Sequence, residues 1–124
     1  MAVRDMNIVV DKLADLLGIN EIPLLQYKNN AVHYQIALLN LGEFELELIE
    51  PLTKAGMAHE HLRDFGPGVY HIAIEVEDLP EALNLYKKRG FESQEIREGV
   101  HGERICFLKE PILPGIYLEL IESK

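Results

Sequence analysis

The sequence predicts an α+β fold: two βαβββ modules in tandem that form a curved mixed sheet with helices on the outer face. Three observations predict it. The pentapeptide Leu46-Glu47-Leu48-Ile49-Glu50 recurs as Leu118-Glu119-Leu120-Ile121-Glu122, 72 residues later. Val3-Arg4-Asp5-Met6 matches Val76-Glu77-Asp78-Leu79 at an offset of 73. The helical stretch after each match ends at a glycine, Gly18 and Gly90, again 72 apart. Three features in one order at nearly one spacing mark an internal repeat.

Module one occupies residues 1–51. Its first strand is cut short, with Met1-Ala2-Val3 as the tail. Asp5 caps a helix whose apolar stripe is Met6, Val9, Val10, Leu13, Leu16 and Leu17, and Gly18 ends it. Alternating stretches at 32–39 and 43–50 read as strands. The connector, 52–68, holds a short helix from Gly56 to Asp64 and a turn at Gly66-Pro67-Gly68. Module two occupies 69–124 and opens with a strand at 69–76. There Ile72, Ile74 and Val76 point toward the following helix, and His71, Ala73 and Glu75 point to the concave face. Asp78 is the next N-cap, with Pro80 just inside, Glu81 at the capping-box position, and Leu79, Ala82, Leu83 and Tyr86 as the stripe. Strands follow at 93–98, 103–108 and 116–122. In the last of these Leu118 and Leu120 point to the helix, which leaves Glu119 on the concave face; Glu47 is its counterpart in module one. A module of about 60 residues buries too little surface to fold well alone, so 1–124 is expected to be a single domain.

Composition narrows the function. With 124 residues, 48% of them hydrophobic, the chain can build a real core. Charged residues make up 27%, too few for a disordered polyelectrolyte chain, and no apolar run approaches the ~20 residues of a membrane span. Met-Ala-Val-Arg-Asp does not begin a secretory signal, because no apolar segment follows a basic start. The net charge is -9, and Lys87-Lys88-Arg89 is the one basic run, so nucleic acid is not an expected partner. A single cysteine, Cys106, excludes an internal disulfide and fits a reducing, cytoplasmic location.

Four segments carry a resemblance: Gly68 to Asp78, Glu47 to Pro51, Gly102 to Leu108, and Gly115 to Leu120. They resemble the vicinal oxygen chelate superfamily, the glyoxalase I and bleomycin-resistance type, and within it the methylmalonyl-CoA epimerases. The likeness covers nearly the whole chain, most clearly residues 37–122. It implies a divalent metal (Co2+, Mn2+, Ni2+ or Zn2+) on the concave face, held here by His71, Glu119 and Glu47. The family's fourth ligand is a histidine of the first strand. By the repeat offset its position falls ahead of Met1, so the site is expected to be incomplete. Either the natural start lies upstream, or this protein has lost a ligand and a central strand. A homodimer partner or an exchanged strand would cover the backbone groups left unpaired.

The activity so implied is a metal-dependent epimerase acting beside the carbonyl of an acyl thioester. Glu47 and Glu119 are each a ligand or a base; the two roles are not separable from sequence. Gln35 or His33 is a further base candidate, and His101, in Gly99-Val100-His101-Gly102, a substrate contact. Bland readings stand beside these. A lone strand histidine is usually packed or on the surface, and a strand glutamate is usually solvated; the repeat moves His71, Glu119 and Glu47 toward function but leaves Glu75 a surface residue. His59 and His61 read as surface residues, and Cys106 as packed in its strand. Lys109-Glu110-Pro111 stands where the family usually has His-Pro-Lys, which weakens the case for CoA. The strong negative charge also opposes a polyanionic ligand unless Lys87, Lys88, Arg89, Arg97 and Arg104 gather at the pocket mouth. The alternatives are a glyoxalase I-like lyase and a metal-free small-molecule binding protein with a degenerate site. An extradiol dioxygenase, which needs two histidines and a carboxylate around iron, ranks below them.

Overall fold

A computed structural model describes residues 1–123 of the chain. They form two compact units, Met1–Val69 and Tyr70 onward.

In the first unit the elements are α1 (Met6–Leu17), β1 (Leu24–Lys28), β2 (His33–Asn40), β3 (Glu45–Pro51) and α2 (Met57–Phe65). The strands form an antiparallel sheet in the order β1-β2-β3. Asp5 caps α1 by accepting the Ile8 N–H at 3.3 Å, and Gly18 closes it in the left-handed region, donating its N–H to Ala14 O. Met6 and Val10 of α1 pack with Ala37, Leu39 and Leu48 of the sheet. The core stops one turn short of the helix end: Leu16 and Leu17, expected in the stripe, are exposed. Ala37 pairs with Leu48 and Leu39 with Leu46, so these residues face α1, while Leu38, Glu47 and Ile49 face away. Strand β1 was not expected. It follows Pro23, lies at the sheet edge and exposes four of its five residues, so it carries no alternation to read. Before α2, Gly56 has φ +93°, and a Cβ there would meet Val32 Cγ1 at 2.8 Å and collide with the Tyr34 hydroxyl. Only glycine fits that bend.

The second unit contains β4 (His71–Val76), α3 (Leu79–Lys88), β5 (Arg97–Glu98), β6 (Arg104–Phe107) and β7 (Tyr117–Glu122), with sheet order β4-β7-β6-β5. β4 and β7 are parallel; the other pairs are antiparallel. Asp78 accepts the Glu81 N–H at 3.0 Å, with Pro80 in the first turn. Leu79, Cys106 and Leu120 are wholly buried, with Val76, Ala82, Leu83, Tyr86 and Leu118 packed around them. Glu122 ties the helix to the sheet: it accepts the Leu79 N–H at 2.8 Å and binds Arg104 through both carboxylate oxygens at 2.8 and 2.7 Å. Two expectations need correcting. Ile72 and Ile74 have the parity of Val76, yet they are 51% and 40% exposed, because the packing against α3 reaches only Val76 on this edge strand. The stretch 93–98 forms only a two-residue strand, extended by one bridge between Ser93 and Leu108.

The repeat is written in the strand registers. In the second unit Glu75 pairs with Ile121 in parallel. In the first, Ala2 bridges Ile49 in parallel, at the same offsets. The α+β class and the two like modules are thus those the repeat predicts, with three helices, one antiparallel sheet and one mixed sheet among the described residues.

Candidate functional site

The site is built on the side of the second sheet that faces away from α3. His71 pairs with Tyr117 and Ala73 with Glu119, while Phe107 pairs with Glu119 from the other side. Period-2 alternation therefore places His71, Ala73 and Glu75 on the same face as Tyr117, Glu119, Ile105 and Phe107. The residues of opposite parity, Leu118, Leu120 and Cys106, pack with the helix.

His71 sits among aromatic rings, with Tyr70 4.5 Å away edge-on and Phe107 5.6 Å away edge-on, centroid to centroid. Its Nδ1 is buried and has no hydrogen-bond partner among the described residues. Burial lowers its pKa from 6.5 to about 4, so the ring is neutral at neutral pH. A neutral imidazole with an unmatched buried nitrogen is a donor set up to meet something else. Glu119, two residues along β7 from the partner of His71, is only 9% exposed. The Arg97 guanidinium carbon lies 5.3 Å from the centre of the Phe107 ring. Sequence reasoning missed Phe107 and Tyr70 as neighbours of His71. For Phe107 the signal was parity, since Ile105 and Phe107 alternate with buried Cys106; Tyr70 directly precedes His71.

The remaining candidates are placed as follows. Glu47 is half-buried on β3, on the side of the first sheet that faces away from α1, and its carbonyl accepts the Met1 ammonium at 2.6 Å. Gln35 and His33 have the opposite parity, that of Ala37, so neither shares a face with Glu47. His33 instead meets Gln26 at 3.1 Å on the surface. His101 is exposed at the turn between β5 and β6, where Gly99 N–H donates to Glu103 O at 2.7 Å and Gly102 N–H to Gly99 O at 3.0 Å. The bare Cα of Gly99 serves the hairpin itself, because a Cβ would strike the Glu103 side chain and Ile105. His59 and His61 diverge on α2. His61 stacks on Phe65 at 5.3 Å, and His59 lines a surface cavity of about 300 Å³ with Arg4 and Arg63. Cys106 is wholly buried, its thiol directed at Gln94 O at 3.0 Å and its pKa pushed up by burial.

The donor chemistry in the second unit suits a divalent ion: one neutral imidazole and one buried carboxylate share a face. Among the described residues no three or more His, Cys, Asp or Glu side chains cluster closely enough to hold one. The five basic side chains do not gather on this face. Lys87 and Lys88 end α3 and Arg89 is its C-cap, Arg104 is bound to Glu122 on the helix side, and Arg97 leans over Phe107. No helix among the described residues is long and apolar enough to cross a membrane.

Residues 1–107 match the family model of the glyoxalase/bleomycin resistance protein/dioxygenase superfamily. The uncharacterized protein YqjC of Bacillus subtilis (strain 168) is 33% identical over 91 residues, 72% of this chain and 65% of that protein. The mitochondrial methylmalonyl-CoA epimerase of Homo sapiens is 30% identical over 91 residues, 71% of this chain and 52% of that protein. The matches thus span between half and two thirds of these relatives' lengths. The crystal structure of methylmalonyl-CoA epimerase from Mycobacterium tuberculosis superposes with a TM-score of 0.79 at 23% identity, covering 99% of this chain and 83% of that one. That likeness shows a shared fold.

Proposed function

The chain belongs to the glyoxalase/bleomycin resistance protein/dioxygenase superfamily, and from that premise we propose that it is an epimerase of the methylmalonyl-CoA type, acting on a 2-substituted acyl thioester. The observation that carries the reading is the buried His71 nitrogen without a partner, on the same sheet face as buried Glu119. Its relatives among the methylmalonyl-CoA epimerases support the substrate class.

The chemistry required is modest in its parts. The proton on the carbon between the carbonyls is removed, its electron pair moves onto the thioester oxygen, and a proton returned to the opposite face gives the other epimer. In this reading His71, Glu119 and Glu47 would be the residues to hold a divalent cation (Co2+, Mn2+, Ni2+ or Zn2+), whose charge would polarise the carbonyl oxygens and stabilise the enolate. Glu119 and Glu47 are the carboxylates available to take and return the proton, each able to serve as base or ligand. Glu119 is only 9% exposed, and a carboxylate so removed from water makes stronger charge interactions. His101 contacts the substrate from the β5–β6 turn. The reading includes a single domain over 1–124, a homodimer and a cytoplasmic location.

Two measurements on the full chain test it. The first is metal bound per chain after incubation with each cation and dialysis, beside a His71→Ala control. The second is deuterium uptake at C2 of methylmalonyl-CoA in D2O. Near-stoichiometric metal that is lost in the control, together with metal-dependent exchange, is the expected result. Thioester binding without exchange would replace the enzyme reading with that of a binding protein. Conversion of a glutathione hemithioacetal without exchange would replace it with that of a glyoxalase I-like lyase.

A further inference from the structure

The repeat places one carboxylate against the start of a helix in each unit, and the two are compensated differently. In the second unit Glu122 accepts the Leu79 N–H of α3 at 2.8 Å. Ile105 pairs with Ile121, which puts Arg104 opposite Glu122, and the guanidinium holds both carboxylate oxygens at 2.8 and 2.7 Å. Glu50 is the repeat counterpart of Glu122, and it faces the N–H of Met6, the counterpart of Leu79. Ile36 pairs with Ile49 as Ile105 does with Ile121, so the residue in the position of Arg104 is Gln35, which pairs with Glu50 directly. A neutral amide stands where the other module has a cation.

The other elements around Glu50 bind no basic side chain to it. From the α1 side the charged group that faces it is Asp5, the N-cap, a second carboxylate. From β2 the next residue on its face is His33, whose ring meets Gln26 at 3.1 Å. Arg4 donates to Leu62 O on α2 at 3.2 Å, and His59 and Arg63 of α2 lie with Pro51, which has the opposite parity. Among the described residues Glu50 has no ion pair.

We propose that the two helix anchors respond to acid in opposite senses: protonation of Glu50 tightens α1 on its sheet, whereas protonation of Glu122 releases α3. An ionised Glu50 loses water without gaining a cation and repels Asp5; a protonated one keeps an oxygen for the Met6 N–H and loses that repulsion. Burial foremost, then Asp5, raises its pKa above the ordinary 4.5, and the Met6 N–H offsets part of the rise. Glu122 is held below the ordinary 4.5, first by Arg104 and then by the Leu79 N–H, and protonation ends its charge-assisted pair. A carboxyl whose pKa is raised by folding contributes its stability below the unfolded value and loses it as pH rises through the folded one. For a depressed carboxyl the contribution is present above the unfolded value and is lost as pH falls through the folded one. The device uses neither metal nor substrate, so it stands apart from the proposed epimerase activity.

The test is a 1H–15N titration of the full chain from pH 7 into the acid range. The Met6 amide reads Glu50, and the Leu79 amide reads Glu122. The expected result is a Met6 midpoint above 4.5 and a Leu79 midpoint below it. Glu50→Gln should remove the Met6 transition and leave that of Leu79. Gln35→Arg supplies the missing guanidinium and should shift the Met6 midpoint down. Asp5→Asn keeps a capping side chain and should shift it the same way, which covers a Gln35→Arg chain that does not fold. In urea at pH 7 Gln35→Arg should raise the unfolding midpoint by roughly 0.5 M, a gain that shrinks as acid protonates Glu50. A Met6 midpoint at or below that of Leu79 would overturn the proposal. So would a Met6 midpoint that neither Gln35→Arg nor Asp5→Asn moves.

Discussion

Leu48 and Leu120 are repeat counterparts, 72 residues apart, and both are fully buried. Each faces the helix of its own unit, Leu48 among Met6, Val10 and Ala37, and Leu120 beside Leu79 and Cys106. Truncation to alanine removes three carbons, a transfer loss of about 2.4 kcal/mol at ~0.8 kcal/mol per buried methylene. The walls around each position are well-packed helix and strand, so part of the cavity stays open and brings the expected cost to about 3 kcal/mol. With a urea slope of about 2 kcal/mol/M for a chain of this size, the midpoint should fall by roughly 1.5 M in either variant. Leu16→Ala is the control: Leu16 is 72% exposed, and its loss should shift the midpoint by no more than about 0.25 M. Urea titrations followed by far-UV circular dichroism at neutral pH provide the numbers. The reasoning fails if either core variant shifts by less than about 0.5 M, or if Leu16→Ala costs as much as they do.

Two further outcomes follow from buried titratable groups. In metal-free protein the pKa of folded His71 is about 4 against 6.5 unfolded, so as pH falls the unfolded chain takes up the proton first and stability declines through that window. Between pH 7 and pH 5 the wild-type chain should lose about 2 kcal/mol more than His71→Gln in paired urea titrations; parallel pH curves would show that His71 is solvated in the folded state. Cys106 is wholly buried with a raised pKa, so a thiol reagent at pH 8 should modify it at the rate of unfolding, slowly in buffer and at once in 8 M urea. Rapid labelling of the native chain would contradict its placement.

The repeat made the fold legible because it carried parity as well as order. Once Leu-Glu-Leu-Ile-Glu occurs twice, the leucines must face a helix in both copies, and Glu47 and Glu119 are thrown to the other side without any coordinates. The same logic placed His71. It failed where burial follows position rather than pattern. Ile72 and Ile74 have core parity but lie on an edge strand that α3 does not reach. β1 shows no alternation because it is exposed on both faces. A one-residue ambiguity made His33 and Gln35 plausible bases, and the β2–β3 register resolves it by turning both toward α1. Parity put Phe107 on the face of His71, but their contact spans β7 and depends on the strand order β4-β7-β6, which the repeat does not give.

The one-residue slip between the two copies has a location. Asp5 and Asp78 are 73 apart but Gly18 and Gly90 are 72 apart, so the difference lies within the helices. Counted from the caps, the inward residues coincide: Met6 with Leu79, Val9 with Ala82, Val10 with Leu83, and Leu13 with Tyr86 all pack on their sheets. Each residue of a helix turns the chain by about 100°, so an insertion near the cap would swing that whole stripe out of the core. The slip is instead absorbed in the last turn, where α1 already exposes Leu16 and Leu17. Each helix is thus a ruler read from its N-terminal end, with slack at the other. A residue added between Arg89 and Gly90 would give the second copy the cap-to-glycine spacing of the first and leave the packing of α3 intact.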